Sequence, residues 1–237
     1  MMKFIQNKTP ETSPDTKGGA KRKPIDVLYA QIKTMMYNQD LSPGQKIILK
    51  DLAHQLDVST TPLLQALHSL ENAKLVRYKQ NKGFFVAEIT ESEAMELYQA
   101  REALEVYLIP ILIKRLTPED IEDIRKSFRV QEESTAPKWR RKMMLTDASF
   151  HLTIAKASDN QVIVELLETI YERIYLKYRA EYLSEERIRD VVKDHRELLS
   201  CLKNREEKKA TELIRNHIRS GMEHMVSSLR DGRIVLL

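Results

Sequence analysis

The chain has 237 residues, of which 42% are hydrophobic and 31% charged, so it can bury the core of one large domain or two small ones. Its single cysteine, Cys201, excludes an intrachain disulfide and indicates a reducing compartment such as the cytoplasm, and no apolar run approaches the ~18 residues of a membrane helix. The net charge of +4 is unevenly distributed. Residues 1–88 hold 13 basic and 8 acidic residues, whereas residues 89–237 hold 26 basic and 27 acidic residues. The first part of the chain is therefore expected to bind an anionic partner.

The first part of the chain begins with a polar tail and continues with short helices. Residues 1–24 are too poor in apolar groups to fold and are expected to form a disordered basic tail. Helical spacing of apolar residues predicts a helix over Ile25–Asn38, and a second helix is predicted over Lys50–Leu56. A third helix is expected to begin after Ser59, whose hydroxyl can cap it, with Pro62 in the first turn.

The third helix and the segment after it predict a small winged unit. Apolar residues recur at i, i+3, i+4 and i+7, which gives this helix one buried face made of Leu63, Ala66, Leu67 and Leu70. Two extended pieces, Val76–Lys79 and Phe84–Val86, follow, and the tip between them has the Asn and Gly residues of a hairpin. Three helices and a hairpin are the layout of a winged helix-turn-helix.

From Thr90 onward the pattern is helical nearly throughout. The sequence TESE at 90–93 predicts a capping box before a long helix that ends near Arg115. Further helix boundaries are indicated by TPED at 117–120, DNQ at 159–161 and SEER at 184–187, and a last helix is expected over Arg205–Arg230. Helices of this length joined by short turns form an antiparallel bundle.

The predicted fold class is therefore mainly α. A winged helix-turn-helix DNA-binding domain with a small β-hairpin wing is expected over residues 25–88. An all-α antiparallel bundle is expected over residues 89–232.

The exposed side of the third helix offers groups that can read a major groove. Thr60, Leu64 and His68 are spaced i, i+4, i+8 and lie along one line of the helix. The amide of Gln65 can make a two-point contact with adenine, and Leu64 can meet a thymine methyl group. The start of the helix suits phosphate oxygens through its backbone N–H groups and the hydroxyls of Ser59, Thr60 and Thr61.

This helix face carries no positive charge, so the charge must come from its flanks. Lys50 begins the preceding helix, and the hairpin supplies Arg77, Lys79 and Lys82, with Gly83 beside the last at the tip. Each phosphate neutralised by such residues releases counterions and adds salt-dependent affinity. Double-stranded DNA is the expected partner, while a small helical domain that contacts protein remains the alternative.

Residues 41–86, LSPGQKIILKDLAHQLDVSTTPLLQALHSLENAKLVRYKQNKGFFV, resemble the winged-helix domain of the GntR family of bacterial transcription regulators. The family usually has arginine at the positions of Thr60 and Leu64, glutamate at Gln65, and often arginine at Lys50. The resemblance implies DNA binding, and these departures imply an altered operator sequence or weaker binding.

Three histidines and one aspartate of the bundle are candidates for a metal site. Asp147 and His151 are i and i+4 on one predicted helix and therefore face the same way, while His195 and His217 lie on two later helices. Three imidazoles and a carboxylate can complete most of the coordination shell of Zn²⁺ or a similar ion. Spacing alone leaves open that each histidine is an ordinary surface residue.

The segments DASFHLTIAKASDNQVIVELLETI and DHRELLSCLKNREEKKATELIRNHI resemble the FCD ligand-binding domain of the FadR subfamily, and the likeness spans residues 25–230. It implies that Asp147, His151, His195 and His217 bind a divalent ion, Zn²⁺ in the first instance, with Ni²⁺, Mn²⁺ or Fe²⁺ also compatible. It also implies that Arg101 faces the effector cavity, where a guanidinium can clamp a carboxylate. A helix-surface ion pair with Glu105 is the alternative for Arg101.

The leading hypothesis is a ligand-responsive transcription regulator, taken as a repressor, that binds a near-palindromic operator as a homodimer and senses a small carboxylate at the metal site. In one alternative the metal ion itself is the signal, and in another the ion has only a structural role. A metal-dependent hydrolase would need a general base near the ion, which DASFH does not offer and which Asp194 is not expected to supply. The chain is therefore predicted not to be an enzyme.

Overall fold

The structure is a computed structural model that describes residues 24–136 and 140–235. The predicted basic tail, apart from Pro24, lies outside these residues. The chain divides into two compact units: the first comprises the described residues up to Glu88 together with Leu176–Tyr178, and the second comprises Ile89–Tyr175 and the described residues from Arg179 onward.

The first unit contains three helices and a small sheet within the described residues. In chain order these elements are α1 (Ile25–Asn38), β1 (Lys46–Ile47), α2 (Leu49–Gln55), α3 (Thr60–Asn72), β2 (Val76–Lys79) and β3 (Gly83–Val86). The sheet is antiparallel, with β3 between β1 and β2. The sequence did not predict β1, because two residues are too few to show an alternating pattern.

The core of the first unit lies between α3 and α1. Leu63, Ala66, Leu67 and Leu70 are fully buried, as their spacing predicts, and Leu28 and Ile32 of α1 are buried as well. This buried face fixes which side of α3 remains outside.

The prediction that the hydroxyl of Ser59 caps α3 is wrong. Ser59 has the extended backbone of an N-cap residue, but its side chain makes no capping hydrogen bond. The N-cap hydroxyl normally accepts from the backbone N–H two or three positions into the helix, and the third position is Pro62, which has no N–H. The proline that pre-sets the first turn thus removes one of the two donors that the hydroxyl could have used.

The hairpin tip has the backbone that its sequence predicts. Asn81 and Gly83 adopt positive φ angles of 60° and 90°, and the backbone N–H of Lys82 donates to the carbonyl of Lys79 at 2.9 Å. Strand β3 begins one residue earlier than expected, at Gly83.

The second unit is a helical bundle. Its long helices in the described residues are α4 (Glu91–Arg115), α5 (Pro118–Glu132), α6 (Arg140–Lys156), α7 (Gln161–Lys177), α8 (Glu185–Lys203) and α9 (Glu207–Val235), with one 3₁₀ turn at Ala180–Tyr182. Helix α4 packs along α9, α5 packs on α6 and α8, and α8 packs on α9. The predicted fold class, a winged helix-turn-helix followed by a helical bundle, is confirmed.

Two predicted helix starts differ from the structure. The TESE capping box is only half formed: Thr90 accepts from the backbone N–H of Glu93, but the Glu93 carboxylate pairs with Arg173. The last helix begins at Glu207, because Arg205 adopts a left-handed backbone (φ 57°) and its guanidinium donates to the carbonyls of Ile113 and Leu116 at the end of α4. That contact satisfies carbonyls that a helix terminus leaves without partners.

None of the helices in the described ranges combines the length and the hydropathy that a bilayer span requires.

Candidate functional site

The structure brings the four predicted metal-binding side chains together inside the second unit. Asp147 and His151 come from α6, His195 from α8 and His217 from α9. Their ligating atoms all lie within 4.8 Å of one another, and the three histidines are at most 5% exposed. Nε2 of His195 is 3.1 Å from Nε2 of His151 and 3.2 Å from Nε2 of His217. Oδ1 of Asp147 lies 3.7 Å from Nε2 of His195 and 3.9 Å from that of His151.

The outer nitrogen of each imidazole has its own oxygen partner. The Nδ1 atoms of His151, His195 and His217 lie, respectively, 2.6 Å from Glu105 Oε2, 2.6 Å from Gln131 Oε1 and 3.0 Å from Asp194 Oδ2. Carboxylate and amide oxygens can only accept, so each Nδ1 carries the proton and donates it. In a ring that carries no second proton, Nε2 then has a lone pair directed at the centre of the cluster.

Three lone pairs at this separation repel one another unless a cation lies between them. Burial lowers the pKa of His195 well below its usual value, with further lowering from His217 and His151, and burial lowers the pKa of His217 to about 4 despite its hydrogen bond with Asp194. These two rings are therefore neutral near pH 7 and do not supply the missing charge as protons. Metal–nitrogen bonds of about 2.0–2.1 Å place ligand atoms about 2.9–3.4 Å apart, so the distances from Nε2 of His195 to those of His151 and His217 fit a divalent ion, while Oδ1 of Asp147 lies slightly farther away.

Arg101 of α4 lies in the interior of the bundle, beside this cluster. Its Nε donates to Glu105 Oε1 at 3.0 Å, and the Tyr171 hydroxyl donates to the same oxygen at 2.9 Å. The ion pair between Arg101 and Glu105 therefore forms. Because Arg101 is only 3% exposed, this pair is buried and is not the helix-surface pair of the alternative prediction. Burial raises the pKa of Glu105, yet His151 and Arg101 outweigh it and hold the pKa well below its ordinary value.

One donor of Arg101 remains available to a ligand. The guanidinium lies over the rings of Tyr98 and Tyr171, at 4.9 and 4.5 Å from their centroids. Its Nη2 is buried and makes no hydrogen bond with the described residues. An anion that reached this nitrogen would satisfy it.

Sequence reasoning missed three residues that orient the histidines. The sequence indicates Glu105 only as a partner of Arg101 and does not indicate that Asp194, which is not expected to act as a general base, contacts His217, as it does in the structure. The sequence does not single out Gln131. It is fully buried and continues the apolar stripe of Ile124 and Phe128 on α5, so a polar residue in an apolar stripe was the available signal.

The outer face of α3 in the first unit carries the predicted groove-reading groups. Thr60, Thr61, Gln65 and His68 are exposed, and Leu64 is half-buried. His68 also contacts two neighbouring side chains: its Nδ1 lies 3.1 Å from Glu71 Oε2, and its ring centroid lies 5.3 Å from that of Phe84.

The predicted cations around α3 differ in their surroundings. Lys50 and Lys82 are exposed and form no ion pair with any described residue. Lys79 lies over the ring of Phe85 at 4.7 Å, and Arg77 is 3.9 Å from the carboxylate of Glu88. Lys50 and Lys82 are thus the cations with the least internal compensation.

Two protein-family models match the chain. Residues 24–86 match the model described as bacterial regulatory proteins, gntR family, and residues 96–220 match the FCD domain. The first match covers the winged unit, and the second covers the helices that hold the histidine cluster.

Individual relatives resemble the chain along most of its length. It is 23% identical over 206 residues to the HTH-type transcriptional regulator YdhC of Bacillus subtilis (strain 168), covering 86% of this chain and 92% of the relative. It is 24% identical over 198 residues to the HTH-type transcriptional repressor GlaR of Escherichia coli (strain K12), covering 80% and 90%. The crystal structure of a GntR-type regulator from Rhodococcus sp. RHA1 has the same fold, with a TM-score of 0.72 at 18% identity over 86% of this chain and 97% of that one.

Proposed function

The chain belongs to the gntR family of bacterial regulatory proteins and carries an FCD domain, and on that premise we propose that it is a metal-dependent, carboxylate-responsive repressor. It binds a near-palindromic operator as a homodimer in the cytoplasm, and an effector carboxylate at the histidine cluster changes its affinity for DNA. The families and relatives that it matches are transcription regulators, not enzymes.

The exposed groups of the first unit support sequence-specific DNA binding. Gln65, Leu64 and Thr60 face outward on α3 and would contact base edges. Lys50 and Lys82 would contact phosphates on either side. Thr60 and Leu64 replace the arginines usual in this family, so we propose an operator read through amide and apolar contacts.

The convergence of three buried imidazoles is the observation that carries the sensing half of the proposal. Asp147, His151, His195 and His217 would hold the divalent ion, with Zn²⁺ as the first choice. When bound, such an ion supplies a Lewis acid that binds a carboxylate oxygen. Arg101 would bind the same carboxylate through its unpaired Nη2, while Glu105 and Tyr171 hold the arginine in place.

Helix α4 offers a route from the effector to the DNA-binding unit. It carries Arg101 and Glu105, and it begins at Glu91, three residues after the first unit ends at Glu88. A carboxylate that binds Arg101 would favour one position of α4. Because α4 follows the first unit directly in the chain, this would favour one spacing of the two winged units in a dimer. A coupling of about 1–3 kcal/mol, roughly 5–150-fold in affinity, is enough for such a switch. The sign of regulation follows that of the repressor GlaR.

Operator binding measured with and without metal and acids tests the proposal. Metal-loaded full chain should protect a two-fold symmetric site near its own gene in a footprint and should run as a dimer in light scattering. A panel of small hydroxy and keto acids should include one that stabilises the metal-loaded protein against heat and weakens DNA binding.

The alternatives predict different results in the same experiment. If DNA binding follows metal and chelator but ignores every organic acid, the metal ion is the signal. If chelation lowers stability while DNA binding and acid binding persist, the ion is structural. Absence of footprint on any sequence would refute the proposed regulator.

A further inference from the structure

Arg187 is a buried cation without a buried anion. It is the third residue of α8, is 7% exposed, and faces the interior together with Ile188 and Val191. Its guanidinium donates to the Ser220 hydroxyl at 3.1 Å and to the backbone carbonyl of His217 at 3.2 Å, and both acceptors are neutral. No carboxylate of the described residues lies within ion-pair distance of it.

This arrangement favours a bound anion. Buried charges in proteins are normally paired, because neutral acceptors offset the loss of hydration less fully than an opposite charge does. Arg187 also lies in the first turn of a helix, where the positive end of the helix dipole disfavours a cation. Arg101 differs, because the carboxylate of Glu105 compensates its charge.

Arg187 and Arg101 are linked by one aromatic ring. The guanidinium of Arg101 lies over the face of Tyr98, 4.9 Å from its centroid. The edge of the same ring lies beside Gly221: a Cβ built there would be 2.9 Å from Cε1 of Tyr98, 3.5 Å from its hydroxyl and 3.2 Å from Nη2 of Arg187. Because position 221 has no side chain, Tyr98 and Arg187 both approach the backbone of α9 closely there, and the hydroxyl and the guanidinium lie near the same point.

The hydroxyl of Tyr98 is a second hydrogen-bond donor beside Arg187. It makes no hydrogen bond with the described residues, and burial raises its pKa above the usual value, although Arg101 lowers it somewhat. A phenol that stays protonated and a guanidinium that lacks an anion are together suited to a carboxylate.

We infer that the effector is a small dicarboxylate. This rests on the proposed function, in which one carboxylate binds Arg101 and the histidine cluster; the second carboxylate binds Arg187 and the hydroxyl of Tyr98. Arg187 is then a specificity-determining residue that selects diacids over monoacids. A bound monoacid would leave the charge of Arg187 uncompensated. The free energy of binding should therefore favour diacids long enough to reach both arginines.

Matched acid pairs measured on the metal-loaded full chain test the inference. Each pair consists of a dicarboxylate of three to six carbons and the monoacid in which one carboxylate is replaced by methyl, for example malate and 2-hydroxybutyrate. Affinities come from calorimetry and thermal shift. At least one diacid should bind about 10- to 100-fold more tightly than its partner, as expected for hydrogen bonds to a charged group.

Variants then locate the preference. Arg187→Met keeps the side-chain stem but removes the charge, and it should reduce the ratio of diacid affinity to monoacid affinity to about one. Arg187→Lys should keep part of the preference. Arg189→Met, an exposed arginine on the same helix, is the matched control and should behave as the unaltered protein.

Each other result overturns the inference in a recognisable way. Monoacids that bind as well as diacids would leave the proposed function intact and remove only the role of Arg187. If Arg187→Met still prefers diacids, the second carboxylate binds a residue other than Arg187. If phosphorylated acids such as 3-phosphoglycerate bind more tightly than every diacid, the group that binds Arg187 is a phosphate and not a second carboxylate. If no acid binds, the proposed function itself fails. The acid pairs decide these points on the unaltered chain even if Arg187→Met does not fold.

Discussion

The carboxylate of Glu105 joins the histidine cluster to Arg101. One oxygen lies 2.6 Å from Nδ1 of His151, and the other accepts from Nε of Arg101 at 3.0 Å. A single buried, ionised side chain therefore orients a candidate metal ligand and a candidate effector ligand at once. Any change at Glu105 should affect both sites.

Glu105→Gln should weaken metal binding. The amide has one acceptor oxygen in place of two and no negative charge, so it cannot serve His151 and Arg101 equally well. Loss of such an orienting partner typically costs about 10- to 100-fold in metal affinity. Competition with a chelating dye measures the change. Glu102→Gln, which alters a partner of Arg219 on the exposed side of the same helix, should not change metal affinity; equal affinities for both variants would contradict this role of Glu105.

Removal of the metal should lower the thermal stability of the second unit, because the buried imidazoles then face one another without a cation. At a free Zn²⁺ concentration about 100 times Kd, binding contributes about 2.7 kcal/mol, which corresponds to ~5–10 °C in Tm for a unit of this size. Melting curves with chelator and after Zn²⁺ addition measure the shift. His151→Gln should abolish the shift and His224→Gln, outside the cluster, should retain it. Curves that coincide with and without metal would count against the site.

Arg101→Lys should reduce effector affinity without loss of metal. A lysine ammonium can still pair with Glu105, but it has no second planar donor to clamp a carboxylate. Acid binding measured by calorimetry should fall about tenfold or more, while metal content stays unchanged. Unaltered acid affinity would place Arg101 outside the effector site and leave it as a buried partner of Glu105.

Lys82→Ala should weaken binding to all DNA sequences alike. Lys82 is exposed at the hairpin tip and forms no ion pair with the described residues, so its charge is available to a phosphate. The slope of log K against log salt should become smaller by about one. Fluorescence anisotropy over a range of salt concentrations measures this slope. Lys114→Ala, an exposed lysine of the second unit, serves as control, and an unchanged slope would remove Lys82 from the interface.

Gln65→Ala should instead relax the choice of base at one position of each half-site. Its amide is exposed on α3 and can bind adenine at two points, worth about 1–3 kcal/mol of discrimination. Binding to a set of single-base operator variants measures the discrimination, and the salt slope should stay the same. Gln99→Ala in the second unit is the control. An equal loss on every operator variant would show that Gln65 contacts backbone rather than base.

Local patterns were sufficient for most of the fold. The bounds of α1 and the buried face of α3 follow from apolar residues at helical spacing, since a helix brings residues i, i+3, i+4 and i+7 to one side wherever it packs. The hairpin follows from Asn81 and Gly83, which tolerate a positive φ. Asp147 and His151 share a face for the same helical reason, whereas spacing left open whether His195 and His217 join them, and the resemblance to a family supplied that expectation.

What the sequence by itself determined is which residues each element turns inward. It could not determine which inward-facing side chains meet, because those contacts join positions far apart in the chain and depend on how the helices pack. His151 lies 46 residues from Glu105, and His195 lies 64 from Gln131. Arg187 shows the same limit: its place on the buried face of α8 is readable from spacing, whereas the missing carboxylate is a property of the assembled bundle.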